Sequence, residues 1–212
     1  ESLRRAQTAT EDGSFRNEIS PFTVNERKGE RVVEIDEQPG NANIEKIPSL
    51  RPAFAKDGSV TAANSSSISD GAAALVLMRQ LEAERRELTP LARIVGHATH
   101  AQEPAWFTTA PIGAVNALFE KIGWDKSDVD LFEVNEAFAV VTMAAMRDLD
   151  LPHDKVNIHG GACALGHPIG ASGARILVTL IAALQKTGGK KGVATLCIGG
   201  GEATSMALEI LH

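Results

Sequence analysis

Three short segments of the chain carry reactive polar side chains beside glycines or at the ends of apolar runs. They contribute a carboxamide (Asn135), an imidazole (His167) and a thiol (Cys197). Sheets of α/β proteins place their sites at the carboxyl ends of strands, so these groups could meet at one site. A thiol with an imidazole is suited to acid–base and nucleophilic chemistry. The segments are VNEAFA at 134–139, HGGACALGHPIGASGAR at 159–175 and CIGGGEA at 197–203.

Each segment also has a purely structural interpretation. Asn135 could cap the helix predicted to follow it. The glycine cluster could let a helix approach a sheet closely. Cys197 could be a small buried hydrophobic residue. Taken singly, none of the three segments decides between structure and chemistry.

Other kinds of site fit the same residues poorly. His159, Cys163 and His167 have the spacing of metal ligands on a helix, but three glycines and a proline within 159–168 disfavour a continuous helix. The dinucleotide pattern G-x-G-x-x-G is absent from 160–173, and the hydrolase pattern G-x-S-x-G is absent from the sequence. Cysteine and histidine chemistry without a metal remains.

The composition is that of a globular protein. The chain has 212 residues, of which 43% are hydrophobic and 23% are charged, and this apolar content argues against disorder. Its net charge of −6, without long runs of one sign, argues against a nucleic-acid or membrane-binding surface. The only two cysteines, Cys163 and Cys197, suit a reducing compartment. We therefore expect a cytoplasmic protein with small molecules or other proteins as partners.

Strands alternating with helices are predicted from Gly71 onward, after a loop-rich region with possible strands at 18–24 and 31–36. This alternation predicts an α/β domain with a mostly parallel, covered sheet. The apolar helix at 174–184 needs cover on most of its surface. Later strands are predicted at 71–78, 91–98, 130–134, 155–158, 193–198 and 204–211, and later helices at 79–88, 111–123, 137–149 and 170–187.

Taken together, the three reactive segments resemble the signature blocks of the thiolase family, in the same order and at comparable separations. An earlier segment, 51–78, resembles that family's substrate loop and linker, so the resemblance covers nearly the whole chain. Within the family, the acetyl-CoA acetyltransferases are the most similar in appearance.

The resemblance implies a layered αβαβα fold, in which two similar α/β halves place their shared helices between sheets. Residues 1–87 would be the loop region and linker at the end of the N-terminal portion, and residues 88–212 the C-terminal domain. Because the sequence starts at Glu1, within an apparent helix, we expect a fragment. The family's acyl-accepting cysteine belongs to the first half, so the fragment is predicted to be inactive alone. The resemblance gives Cys163 no catalytic role.

Particular residues match functional positions of the family. His167 matches the catalytic histidine of the GHP motif, and Cys197 matches the second cysteine, in C-x-G-G-G. Asn135 matches the NEAF asparagine that holds a catalytic water, and the Gly199 amide would face an oxyanion. The residues expected to contact coenzyme A are Phe54, Ser66, Ala137 and Phe138.

The implied reaction is the reversible condensation of two acetyl-CoA molecules to acetoacetyl-CoA and CoA. Coenzyme A is a substrate carrier in this reaction, and no metal or further cofactor is required. Family likeness also implies a homotetramer, built as a dimer of dimers. Two alternatives stay open: a degradative 3-ketoacyl-CoA thiolase, and a thiolase-like acyl or lipid carrier without catalysis.

Overall fold

A computed structural model describes residues 1–211 of the chain. The helices are α1 (Ser2–Glu11), α2 (Glu37–Asn41), α3 (Gln80–Arg85), α4 (Ala110–Ile122), α5 (Ala139–Asp148), α6 (Ala162–Leu165) and α7 (Ser172–Thr187). The strands are β1 (Phe22–Glu26), β2 (Gly29–Val33), β3 (Ala92–Ala101), β4 (Leu131–Val134), β5 (Lys191–Ile198) and β6 (Glu202–Ile210). Single 3₁₀ segments lie at Ile44–Ser49, Pro104–Thr109, Lys126–Asp128 and His153–Lys155.

Four strands form the main sheet, in the order β3-β6-β5-β4. β4 runs parallel to β5, with Val134 opposite Thr195, while β6 is antiparallel to both β5 and β3. The prediction of a mostly parallel sheet is therefore wrong. The turn between β5 and β6 is only three residues long, and so short a connection can join antiparallel strands only. The single parallel pair nevertheless places the ends of β4 and β5 at the same edge.

Helices cover both faces of this sheet. On one face, Ile176, Leu180 and Leu184 of α7 belong to an apolar cluster with residues of β4, β5 and β6. On the other face, α4 and α5 form a second cluster with Phe132 and Val193 of the sheet. The chain therefore has helix, sheet and helix layers, and the predicted layered α/β fold class is confirmed.

Helix boundaries follow the local signals in the sequence. α4 has proline in its first turn and ends at Gly123, which adopts a left-handed φ of 70°. α7 ends in the same way at Gly188, with a φ of 76°. Both helices were predicted from their apolar spacing, to within two residues of the observed ends.

Two predicted strands are absent from the described structure, and the two earliest strands differ in position from their predicted ranges. The apolar run 71–78 forms no regular strand and is mostly exposed, because residues 1–211 supply no neighbouring strand for it. At 155–158 a 3₁₀ segment leads into one isolated bridge, between Val156 and Phe132. The early strands form a separate antiparallel hairpin, β1–β2, shifted from the predicted 18–24 and 31–36. Among the described residues, no helix is both long and apolar enough to cross a membrane.

Candidate active site

Asn135 follows directly on β4 and lies beside the next strand. Its backbone N–H donates to the Thr195 carbonyl at 3.0 Å, and its side chain is almost fully buried. Helix α5 begins only at Ala139 and has no side-chain cap. The capping interpretation of Asn135 is therefore wrong. The carboxamide instead faces His167, with 3.4 Å between Asn135 Nδ2 and His167 Nε2.

His167 is fixed from two sides. Its backbone N–H donates to the Ser67 carbonyl at 3.0 Å, and its Nδ1 lies 2.5 Å from Ser172 Oγ. The Ser172 hydroxyl donates its own proton to the Pro168 carbonyl, at 3.0 Å. Ser172 Oγ must therefore accept from Nδ1–H, which leaves the Nε2 lone pair of the neutral ring on the side of Asn135. The sequence pattern gives Ser172 no role, although this serine lies five residues after the histidine, near the start of the predicted helix.

The environment of His167 favours the neutral imidazole. Partial burial lowers the pKa of His167, and the positive charge of Arg175 lowers it further. A neutral ring whose Nδ1–H is already bound can accept a proton at Nε2. The site therefore has the protonation state and the orientation that a general base needs.

Cys197 lies near the end of β5, one strand away from Asn135. It is 6% exposed within the apolar cluster beneath α4 and α5, and burial raises the pKa of its thiol. Within residues 1–211, no hydrogen bond joins its Sγ to Asn135 or His167. The structure thus brings Asn135 and His167 into contact and places Cys197 at the same sheet edge, without a hydrogen bond to either of them within residues 1–211.

A glycine turn follows Cys197. The Gly201 N–H donates to the Ile198 carbonyl at 3.1 Å and closes the turn. Gly201 has a φ of +97°, and a Cβ there would lie 2.3 Å from the Gln102 carbonyl oxygen. A Cβ on Gly199 would meet no atom within 4 Å. Within this chain, the steric need for glycine therefore falls on Gly201 rather than on Gly199.

Three of the four residues expected to contact coenzyme A lie together. Both the N–H and the hydroxyl of Ser66 donate to the Ala137 carbonyl, at 3.1 and 2.9 Å. Ser65 pairs with Phe138 in an antiparallel bridge. These bonds hold the loop beside the segment that follows Asn135. Phe54, the fourth residue, is 81% exposed.

The carboxylate of Glu136 packs against the glycine cluster and accepts hydrogen bonds there. Its carboxylate accepts from the Ser2 hydroxyl at 2.7 Å, from the Cys163 N–H at 3.1 Å and from Asn157 Nδ2 at 3.2 Å. A Cβ on Gly161 would lie 2.5 Å from the Glu136 carboxyl carbon. The cluster therefore has a packing role, as its structural interpretation predicts, while it also carries His167.

Cys163 is poorly placed to act as a nucleophile. Burial, followed by the negative charge of Glu136, raises the pKa of its thiol to about 12. Its Sγ lies 3.8 Å from the Glu136 carbonyl oxygen. Cys163 and Glu136 line a cavity of about 750 Å³ that neither His167 nor Cys197 lines. This cavity is therefore separate from the proposed chemistry.

Family models match both parts of the chain. The model of the thiolase C-terminal domain matches residues 88–210, and that of the thiolase N-terminal domain matches residues 1–81. The chain belongs to the thiolase family. This confirms the resemblance drawn from the three reactive segments, and it shows that the N-terminal domain model is represented within the chain itself.

Individual thiolases are similar along the whole chain. The cytosolic acetyl-CoA acetyltransferase of Mus musculus is 51% identical over 211 residues, which cover 98% of this chain and 53% of the relative. The acetyl-CoA acetyltransferase of Paracoccus denitrificans is 49% identical over 209 residues, which cover 98% of this chain and 54% of the relative. This thiolase chain therefore spans about half the length of these relatives.

Solved thiolase structures show the same fold. The Bacillus anthracis acetyl-CoA acetyltransferase superposes with a TM-score of 0.95 at 45% identity, covering 99% of this chain and 54% of that one. The human mitochondrial 3-ketoacyl-CoA thiolase gives a TM-score of 0.89 at 36% identity, and the superposition covers 99% of this chain and 53% of that one.

Proposed function

We propose that this thiolase chain contributes to the reversible condensation of two acetyl-CoA molecules into acetoacetyl-CoA and CoA. The observation that carries the proposal is the contact between Asn135 and His167, at the sheet edge where β5 also delivers Cys197. The mouse and Paracoccus relatives, which are named for acetyl-CoA acetyltransferase activity, support this assignment.

The first half-reaction requires a nucleophilic thiolate. An ordinary thiol, with a pKa near 8.5, is only a few per cent ionised at neutral pH and needs a base beside it. His167 is the proposed base, because its Nε2 is the unprotonated nitrogen of the ring. Cys163 does not supply the thiol, since its pKa of about 12 keeps it protonated. We propose that the nucleophilic cysteine belongs to a further N-terminal segment that acts together with this chain.

The second half-reaction requires removal of a proton next to a thioester carbonyl. Cys197 is proposed to protonate the departing CoA and then, as a thiolate, to take that α-proton. The enolate oxygen would accept the Nε2–H of His167, whose proton comes from the nucleophilic thiol in the first half-reaction, and a hydrogen bond from a water held by Asn135. The Gly199 N–H would stabilise the oxyanion of the tetrahedral intermediate, and loss of one such donor costs about 3 to 4 kcal/mol.

Coenzyme A would lie along the loop that contains Ser66 and along Ala137 and Phe138. The bonds from Ser66 to the Ala137 carbonyl align this surface with the residues that follow Asn135. A solved thiolase of Ascaris suum, 39% identical, is described in complex with coenzyme A, which supports this assignment. Coenzyme A is a substrate carrier here, and the proposed steps use only side chains and backbone of the protein.

Exposed apolar residues support a partner segment. Ile68, Val76 and Leu77 are 94%, 88% and 64% exposed, although their sequence is typical of buried residues. We propose that a further segment of the same thiolase covers them, that this chain alone is inactive, and that the assembled protein is a cytoplasmic homotetramer. The name of the mouse relative includes the word cytosolic, which supports the location.

A degradative 3-ketoacyl-CoA thiolase is the second candidate. The human mitochondrial 3-ketoacyl-CoA thiolase shares the fold, with a TM-score of 0.89, and so supports it. The higher identities to acetyl-CoA acetyltransferases favour the first candidate. A carrier without catalysis has no need for an oriented His167 beside Asn135, and this geometry argues against it.

The proposal is tested in the assembled enzyme by measuring turnover of acetyl-CoA, acetoacetyl-CoA and a long-chain ketoacyl-CoA. Condensation is expected to fall by orders of magnitude in His167→Ala and in Cys197→Ala, and to persist in the control Cys163→Ala. Near-normal turnover in either of the first two variants would overturn the role of that residue. A preference for the long-chain substrate would favour the degradative alternative.

A further inference from the structure

Asn157 uses its side chain as a neighbouring strand would use its backbone. β4 is an edge strand of the main sheet, and an isolated bridge pairs its Phe132 with Val156. The Asn157 N–H donates to the Phe132 carbonyl at 2.9 Å. The side-chain amide then continues this pairing along β4. Its Oδ1 accepts from the Val134 N–H and its Nδ2 donates to the Val134 carbonyl, both at 2.8 Å.

An amide side chain can take the place of a strand here because it carries the same donor and acceptor as a peptide group. Val134 is buried, and buried backbone groups need hydrogen-bond partners. The N–H and the carbonyl of Val134 bind Asn157, whereas the N–H of the next residue, Asn135, binds the Thr195 carbonyl of β5. Asn157 therefore completes the edge of β4 where the strand ends and the candidate site begins.

The same side chain also reaches past Asn135. Its Nδ2 donates to Glu136 Oε1 at 3.2 Å, in addition to its bond to the Val134 carbonyl. Thr142 Oγ1 is a second donor to that carbonyl, at 3.2 Å. Asn157 thus binds both the residue that precedes Asn135 and the residue that follows it.

The backbone of Asn157 adopts an uncommon conformation. Its φ is +48°, in the left-handed region that few residues other than glycine, asparagine and aspartate adopt. Asn157 is also 3% exposed, and its side chain makes three hydrogen bonds. Such a conformation persists only where the surrounding structure maintains it, and it is found preferentially at functional sites.

We propose that Asn157 is a positioning residue for Asn135, whose carboxamide it holds against His167. The inference rests on the proposed function, in which Asn135 and His167 act on the same enolate oxygen. Because Asn157 binds the residues on both sides of Asn135, while β5 binds Asn135 itself, the chain has little freedom to shift there. The separation of 3.4 Å between Asn135 Nδ2 and His167 Nε2 is maintained in this way. A misplacement of about 1 Å can reduce a reaction rate roughly 100-fold.

Glycine and alanine at position 157 separate positioning from stability. Both variants remove the amide, but alanine must also adopt the positive φ, so Asn157→Ala should be less stable than Asn157→Gly. In the assembled enzyme, both should lower kcat by similar factors, about 10- to 100-fold. KM should change little, because residues 64–66 bind the backbone at Ala137 and Ala139 separately.

Ser205→Ala is the matched control for these two variants. It removes another buried hydrogen bond, from the Ser205 hydroxyl to the Ala114 carbonyl at 2.7 Å, and should retain the kcat of the parent. A positioning role predicts that kcat falls equally in the glycine and alanine variants although their stabilities differ. A kcat that instead follows stability across all three variants would overturn the inference.

A double-mutant cycle tests whether Asn157 acts through Asn135. In that case Asn157→Gly lowers kcat in the parent but has little further effect in the Asn135→Ala background. If the two substitutions lower kcat by factors that multiply, Asn157 acts independently of Asn135 and the inference is wrong.

A crystal structure of the assembled Asn157→Gly protein gives a readout that needs no turnover. The Asn135 carboxamide is expected to move away from His167 or to occupy more than one position. Asn157 also lines the cavity of about 750 Å³, so water can enter the vacated space. A carboxamide that keeps its parent position, with or without such a water, would contradict the inference. If the carboxamide moves while Asn157→Gly and Asn135→Ala both keep full turnover, the proposed role of Asn135 fails and its positioning by Asn157 stands.

Discussion

Ser172 Oγ accepts the Nδ1 proton of His167 across 2.5 Å and donates its own proton to a backbone carbonyl. This chain of two hydrogen bonds selects one tautomer of the imidazole, since Ser172 has no second proton to offer. The serine is the first residue of α7, so the helix that covers one face of the sheet also determines which ring nitrogen is unprotonated.

Ser172→Ala is expected to impair catalysis more than its effect on stability suggests. Without the hydroxyl the imidazole can rotate or change tautomer. Turnover of the assembled enzyme should then fall roughly 10- to 100-fold, as when the orienting partner of a metal-bound histidine is removed. Steady-state kinetics across pH measure the effect, and the pH profile should change together with the rate.

Ser205→Ala is the matched control for this variant. Ser205 is also fully buried, and its hydroxyl donates to the Ala114 carbonyl at 2.7 Å, away from His167. Both variants should lose about 1 kcal/mol of unfolding free energy, the usual net contribution of one buried hydrogen bond. Only Ser172→Ala should alter the pH profile. Equal kinetic effects of the two variants would show that Ser172 has a packing role alone.

The unfolding free energy is expected to fall as pH rises from about 5 to about 8. Burial raises the folded-state pKa of Glu133, on β4, to about 8, against 4.5 as the ordinary value of a glutamate. The folded state therefore binds the extra proton in this interval, and stability falls by up to about 1.4 kcal/mol per pH unit. Urea unfolding at pH 5.5 and at pH 8.5 measures the difference.

Glu133→Gln should flatten this dependence, because glutamine cannot ionise. The variant should match the parent near pH 5.5 and exceed its stability near pH 8.5. Glu82→Gln serves as the control: its arginine neighbours lower the pKa of this partly exposed carboxyl group, so Glu82 stays ionised throughout the interval. The slope of the control should equal that of the parent. A Glu133→Gln protein with an undiminished slope would refute the assignment.

Local signals in the sequence predict much of this fold. The apolar spacing of α4, its early proline and its terminal Gly123 define a helix with little help from the rest of the chain. The run 71–78 has the composition of a buried strand, yet strand formation depends on a neighbour, and residues 1–211 provide none. Pairing direction in the main sheet likewise depends on connections, which apolar patterning does not reveal.

The sequence predicts the residues of the candidate site better than it predicts the contacts between them. His167, Cys197 and Asn135 are recognisable by motif, whereas the contact between Asn135 and His167 joins residues 32 positions apart. Ser172 was missed because a serine at the start of a helix is usually a capping residue. Only the packing of α7 against β4 shows that it holds the imidazole.

The two ends of the glycine turn should respond differently to alanine. Gly201→Ala places a Cβ at a φ of +97° and 2.3 Å from a carbonyl oxygen, so it should cost about 1 to 3 kcal/mol of unfolding free energy. Gly199→Ala meets no such obstacle and should leave stability within about 0.5 kcal/mol of the parent. Denaturant unfolding distinguishes them. If the Gly199 N–H faces the oxyanion as proposed, the alanine variant should be stable but impaired in condensation, because the added Cβ would hinder the approach of the oxyanion to that N–H.

Cys163 should resist alkylation. With a pKa of about 12, its thiolate fraction at pH 7.5 is roughly a thousandfold below that of an ordinary cysteine, and only the thiolate reacts readily. Iodoacetamide labelling followed by peptide mass spectrometry gives the rate for each of the two cysteines. In urea, where burial and Glu136 no longer act on the thiol, Cys163 should react at the rate of a free cysteine. Rapid labelling of Cys163 in the folded protein would contradict the buried, protonated state, and Cys163 would again be a candidate nucleophile.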